Sequence, residues 1–247
     1  LIVCGSQEAV YTPKPDEELT DVTEEPVLNN KTLGDAKEQD EKLKAYKAKQ
    51  KKKEVSDIIG NIEESISFAN EAVEVLTVGL GRPHPTTLDA ILGRGTIYLS
   101  LGELAFAEND LREVWLTRSE NDGNKNEATL LALERLGLAV AQSRRLDEAI
   151  DLMQTYVENS LDVYGATYPS RMTTLFNAAI LMRQSDRLEE CIDLLLDLKS
   201  LCESVSEAEI PQCANLNGFL LTVYNELSKK YPDSDWPEKA KMHEASF

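Results

Sequence analysis

The sequence repeats itself every 42 residues. Gly81, Gly123 and Gly165 are 42 apart, and so are Leu104, Leu146 and Leu188. Ala107, Ala149 and Cys191 keep a third phase, and Gly95, Gly137 and Ala179 hold a small residue in a fourth. Pro85, Pro169 and Pro211 share a fifth, with Glu127 in the missing slot. A fixed period of this length marks stacked supersecondary units, none of which buries its apolar face alone.

Each unit reads as two helices. In the unit over 127–164, Leu130, Leu133, Leu136 and Val140 recur at helical spacing between Thr129 and Gln142. Arg144-Arg145 interrupts the pattern. A second helix then runs from Leu146 to Val163, with Leu146, Ala149, Ile150, Met153, Val157 and Leu161 on one face. Gly165 ends it, and Pro169 opens the next unit, as a proline does in a first helical turn. A glycine inside a helix costs about 1 kcal/mol relative to alanine and so needs a packing reason. Close approach of two antiparallel helices supplies one, with Gly95 expected against Ala107, Gly137 against Ala149 and Ala179 against Cys191.

These residues resemble tetratricopeptide repeats (TPRs) of the 42-residue kind found in kinesin light chains. Leu133, Leu136-Gly137, Leu146 and Ala149 fall on that family's signature positions, as do Gly95, Tyr98, Gly102 and Ala107-Glu108. The stretch from Leu80 to Thr87, with Gly81, His84-Pro85 and Thr86-Thr87, is similar to the family's linker, and Tyr168-Pro169 is a variant of it. The run from Thr174 to Ala179 resembles its Asn-containing first helix. The resemblance covers 80–205, with a degenerate unit before it and another from Pro211. Cys191 stands where the family has a small Ala, and the first-position Trp is absent. The implied fold is all-α: an α-solenoid of antiparallel helix pairs, a TPR-like superhelix with a concave face built from the first helices, preceded by an extended N-terminal arm.

The expected organisation is an acidic arm over 1–34, a charged capping helix over 35–57, a repeat array over 58–231 and a tail with a short helix over 232–247. The array divides near 58–81, 85–123, 127–165, 169–207 and 211–231. The chain of 247 residues carries 44 acids against 26 bases, a formal charge of −18. That field disfavours nucleic acid as a partner. The one basic cluster, Lys49 with Lys51 to Lys53, reads either as a solvated helix face or as a contact for an acidic partner or lipid headgroup. No apolar run is long enough to span a membrane. The start at Leu1 in place of Met carries the expectation of a processed or shortened beginning.

Little in the sequence points to catalysis. His84 lies in a linker and His243 near the far end, where exposure is expected. Gly93-Arg94-Gly95 is half a dinucleotide fingerprint set inside a helix. Asn121-Asp122-Gly123-Asn124 starts like a calcium loop, but Ala132 stands at its twelfth position. No cofactor and no metal site is expected. Cys191, Cys202 and Cys213 read as free thiols packed as small apolar groups in a reducing compartment. Cys202–Cys213 is the exception to keep, as a bridge across a helix–helix turn. The expected setting is intracellular and soluble, in the cytoplasm or an organelle interior.

The resemblance places a protein or peptide partner in the groove of first helices. Matching positions would display Asp89, Leu92, Thr96 and Leu99 from one unit, then Leu131, Glu134, Leu138 and Gln142. The third unit would show Thr173, Phe176, Asn177, Ile180 and Arg183. For the apolar members, packing between units is the competing reading. The functional expectation is a non-enzymatic interaction scaffold or adaptor. The alternative is a structural or assembly subunit of a large, possibly organellar membrane complex.

Overall fold

The computed structural model describes Lys44, residues 60–205 and residues 210–245. These fall into two units. Lys44 and residues 60–68 belong to one and are helical; residues from Ala69 onward form the other. The expected arm over 1–34, Cys4, and the basic cluster at Lys49 and Lys51 to Lys53 lie outside the described residues.

Helix α1 covers 60–80. It is followed by α2 (Pro85–Leu101), α3 (Leu104–Asn121), α4 (Glu127–Gln142) and α5 (Leu146–Tyr164). Then come α6 (Pro169–Gln184), α7 (Leu188–Cys202), α8 (Pro211–Lys230) and α9 (Trp236–Glu244). From α2 onward each helix packs on the next, and no strand occurs among the described residues. Helices α2, α4, α6 and α8 are the first helices of the units; α3, α5 and α7 are second helices.

Two left-handed turns per repeat set the register. One precedes α2, α4 and α6, at Gly81, Gly123 and Gly165, with φ of 88°, 86° and 85°. Glycine adopts this conformation without a Cβ penalty. The other closes the first helices α2, α4 and α6, at Gly102, Arg144 and Asp186, again 42 apart, with φ of 75°, 64° and 62°. Here the hydrogen bonds follow one pattern. The N–H groups of Gly102 and Glu103 donate to the carbonyls of Leu99 and Tyr98, those of Arg144 and Arg145 to Ala141 and Val140, and those of Asp186 and Arg187 to Arg183 and Met182. Each turn satisfies two carbonyls that a helix end otherwise leaves open. The Arg144-Arg145 interruption seen in the sequence is one of these turns.

Two of the first helices, α2 and α4, begin with matching side-chain caps. His84 Nδ1 accepts from the Thr86 N–H at 3.2 Å, and Asn126 Oδ1 accepts from the Ala128 N–H at 2.9 Å. His84 is therefore an N-cap. At the far end α9 lies against α8, with Trp236 and His243 ranged about the Tyr224 ring at 6.0 and 5.4 Å. His243 is half-buried there, with Nε2 3.2 Å from the Asn217 carbonyl, rather than exposed as expected.

The core is continuous along the stack. Leu130, Leu133, Leu136 and Val140 are buried as the periodicity requires. On α5 the buried stripe runs through Ala149, Ile150, Met153, Tyr156 and Ser160, and Leu161 is exposed. Leu161 stands eight positions after Met153, which rotates it off the stripe that Tyr156 and Ser160 follow.

The small residues do sit at helix contacts, but two of three pairings shift by one turn. A Cβ on Gly95 would lie 3.0 Å from Asp110 Cβ and 3.0 Å from Leu111 Cγ, so Gly95 faces Asp110 and Leu111 rather than Ala107. Gly137 faces Leu152 and Met153 rather than Ala149, with Met153 Cγ at 3.4 Å. Cys191 does meet Ala179, its Sγ donating to that carbonyl at 3.2 Å. The contact at Gly95 brings Asp110, 2% exposed, to Arg94. Two bonds of 2.7 and 2.8 Å hold the pair. A bidentate geometry of this kind is what a buried carboxylate needs.

The two glycines therefore separate by substitution. Gly95→Ala overpacks the Asp110–Leu111 contact and lowers stability by about 1–2 kcal/mol. Gly137→Ala meets an ordinary van der Waals contact, gains helix propensity and raises stability by about 0.5–1 kcal/mol. Urea unfolding of the two variants measures both signs.

Candidate partner-binding groove

Besides the packing of each helix on the next, α2 touches α4 and α6 touches α8. The candidate residues lie on α2, α4 and α6 and divide by burial. Leu92, Leu99, Leu138, Thr173, Phe176 and Asn177 are buried. Their expected display to a partner is corrected: they are taken up in packing within the stack, where each helix packs on the next. Asp89, Leu131, Gln142 and Arg183 are exposed, and Thr96, Glu134 and Ile180 are half-buried.

Several of these have partners inside the chain. Asp89 Oδ1 accepts from Arg118 Nη2 at 2.6 Å, tying α2 to α3. Thr96 Oγ1 donates back to the Leu92 carbonyl at 2.8 Å. Arg183 donates to Glu226 of α8 at 2.6 Å and lies 6.0 Å from the centre of the Phe219 ring. Phe219 in turn meets Phe176 edge-on at 5.5 Å. Phe219 and Glu226 extend the face into α8 and were missed in the sequence, because the repeat pattern fades beyond Pro211. Their phase, 43 residues after Phe176 and Arg183 instead of 42, is the reason a fixed period does not find them.

Glu134 has an environment of its own. Burial pushes its carboxyl above the ordinary glutamate range; the Arg135 charge and a hydrogen bond from Ser170 oppose this only in part. Tyr156 lies beneath, 2% exposed, its phenol held well above the tyrosine range first by burial and then by the Glu134 charge. Helices α4, α5 and α6 thus bring Glu134, Tyr156 and Ser170 together. Beside them Tyr164 and Tyr168 stack with ring centres 4.3 Å apart.

The cysteines differ from expectation. Cys191 is a buried free thiol, pushed up to about 12 by burial. Cys202 and Cys213 are joined as a disulfide, with Cα atoms 5.7 Å apart. The reading of these two as free thiols is corrected. Eleven residues within one helix would hold them apart, but α7 ends at Cys202 and α8 begins at Pro211, so the chain reverses between them. Among the described residues no helix is long and apolar enough to cross a membrane.

No family model and no curated protein matches the chain. Solved structures do match it. A kinesin light chain of Podosopora anserina built from nearly identical TPR-like repeats aligns with a TM-score of 0.62 at 17% identity, over 76% of this chain and 89% of that one. A point variant of that protein gives the same score. BtubC (BKLC) of P. vanneervenii aligns with a TM-score of 0.61 at 13% identity, over 77% of this chain and 76% of that one. The fold is that of TPR-like repeat proteins, an α-solenoid of antiparallel helix pairs.

Glu134 yields a pH test. Its folded-state carboxyl holds the proton more tightly than in the unfolded chain, so ionisation costs stability as pH rises through the folded value. Below the ordinary glutamate range the penalty is absent. Glu134→Gln is expected to raise Tm at pH 7 by about 1–3 °C, with the difference vanishing below about pH 4. Thermal melts across that range decide it.

Proposed function

We propose that this chain is a non-enzymatic protein–protein interaction scaffold or adaptor, and that the face of first helices holds a segment of a protein partner. One observation carries the reading. The first helices α2, α4 and α6 carry exposed Leu131, Gln142 and Arg183 and half-buried Thr96, Glu134 and Ile180. This is a mixed surface in which apolar contacts give affinity and polar groups give register. The chemistry of the side chains supports the absence of catalysis. His84 is engaged as a helix cap, and Cys191 is buried with a raised thiol. The arginines nearest the groove are tied to carboxylates at Asp89 and Glu226.

The test uses the full chain to select displayed twelve-residue peptides and then compares two double variants. Leu131→Arg with Ile180→Arg alters the first-helix face. Leu116→Arg with Leu196→Arg alters exposed leucines on the second helices α3 and α7. Selected peptides are expected to lose about tenfold or more in affinity for the first double variant and to bind the second as they bind the parent. Loss only in the second places binding on the outer face and contradicts the proposal.

A further inference from the structure

The Cys202–Cys213 bond occupies a position that recurs at every junction between units. The pairs Leu76 and Thr87, Arg118 and Thr129, Ser160 and Arg171, and Cys202 and Cys213 are each 11 residues apart and follow one another at 42. Each places one residue near the end of a second helix and one near the start of the following first helix. At the first junction Thr87 Oγ1 donates to the carbonyls of Gly81 and Leu76 at 2.8 and 3.3 Å. At the third, Arg171 donates to the Val157 and Ala166 carbonyls at 3.1 and 2.8 Å, and Ser160 Oγ donates to Val157 at 3.3 Å. The fourth replaces these hydrogen bonds with a covalent bond.

The fourth junction also lacks what the others have. The connections 81–84, 122–126 and 165–168 are short, and each carries a left-handed glycine. The fourth runs over 203–210, and Glu207 stands where Gly165 would recur. The disulfide ties the end of α7 to the first turn of α8 across this longer, glycine-free stretch of sequence. In a stacked array each pair is held by its immediate neighbours, so a weakened junction loosens one unit without unfolding the rest.

We propose that Cys202–Cys213 is a thiol-switched latch on the unit formed by α8 and α9. Its partner is a dithiol reductant. One thiolate of the reductant attacks a cystine sulfur, forming a mixed disulfide and releasing the other cysteine as a thiolate that takes up a proton. The second thiol of the reductant then displaces the mixed disulfide. The reductant leaves oxidised, and two electrons and two protons have passed to Cys202 and Cys213. Both cysteines are only half-buried, open to such attack, whereas buried Cys191 stays out of the exchange. With the bond closed, α8 holds Phe219 against Phe176 and Glu226 against Arg183; with it open, that end of the groove loosens. This last step rests on the groove being the binding face.

Hydrogen–deuterium exchange of the full chain in oxidised and reduced dithiothreitol tests the latch without any partner. Alkylation and intact mass establish the thiol state of each sample. Reduction is expected to speed exchange in α8 and α9 by about 10–100-fold, leaving α2 to α6 unchanged, and re-oxidation to restore protection. Cys202→Ser with Cys213→Ser should match the reduced form in both buffers. Free thiols at both positions in the oxidised buffer overturn the proposal. So does unchanged protection of α8, or loss of protection through the whole array. If α8 responds but selected peptides bind both states alike, the latch stands and the groove assignment fails.

Discussion

The structure depends on the left-handed turn that closes the first helices α2, α4 and α6. At Gly102, Arg144 and Asp186 the chain reverses within two residues, satisfies two helix carbonyls and delivers the second helix against the first. The turn at Gly81, Gly123 and Gly165 then delivers the next pair. With both turns fixed in phase, apolar stripes that no single pair can bury meet in one continuous core. Among the described residues glycine fills four of the six positions at positive φ, Gly81, Gly102, Gly123 and Gly165; Arg144 and Asp186 fill the other two and show that the turn, not the residue, is what recurs.

Electrostatics follows from the stacking. The chain is strongly acidic, and its arginines sit where they neutralise acids between neighbouring helices. Arg145 bonds Glu108 at 2.5 Å and Arg112 bonds Glu148 at 2.6 Å, joining α3 to the following pair. Arg145 holds the Glu108 carboxyl below the usual range, with Arg112 assisting. These partly exposed pairs contribute modestly each.

The helix pairs were legible because period, apolar spacing, proline and glycine all agree between 80 and 205. The turn residues Arg144 and Asp186 were not legible as left-handed, since Arg carries no preference for φ above zero and Asp a far weaker one than glycine. Groove exposure was only partly legible. Leu131 is exposed and Arg183 is exposed but bonded to Glu226, whereas Phe176 and Asn177 are buried, because burial depends on how neighbouring helices pack, which a repeat pattern does not encode. Gly95 was read correctly as a contact residue but assigned a neighbour one turn away, since relative displacement of two helices is set by the turn between them. The cysteine bridge needed the position of a helix end that falls outside the clear repeats.

The central claim is that partners meet the first helices. Amide-exchange footprinting of the full chain with a selected peptide bound tests it most directly. The account predicts added protection along α4, α6 and α8, with α3, α5 and α7 unchanged. Protection confined to the second helices would contradict it.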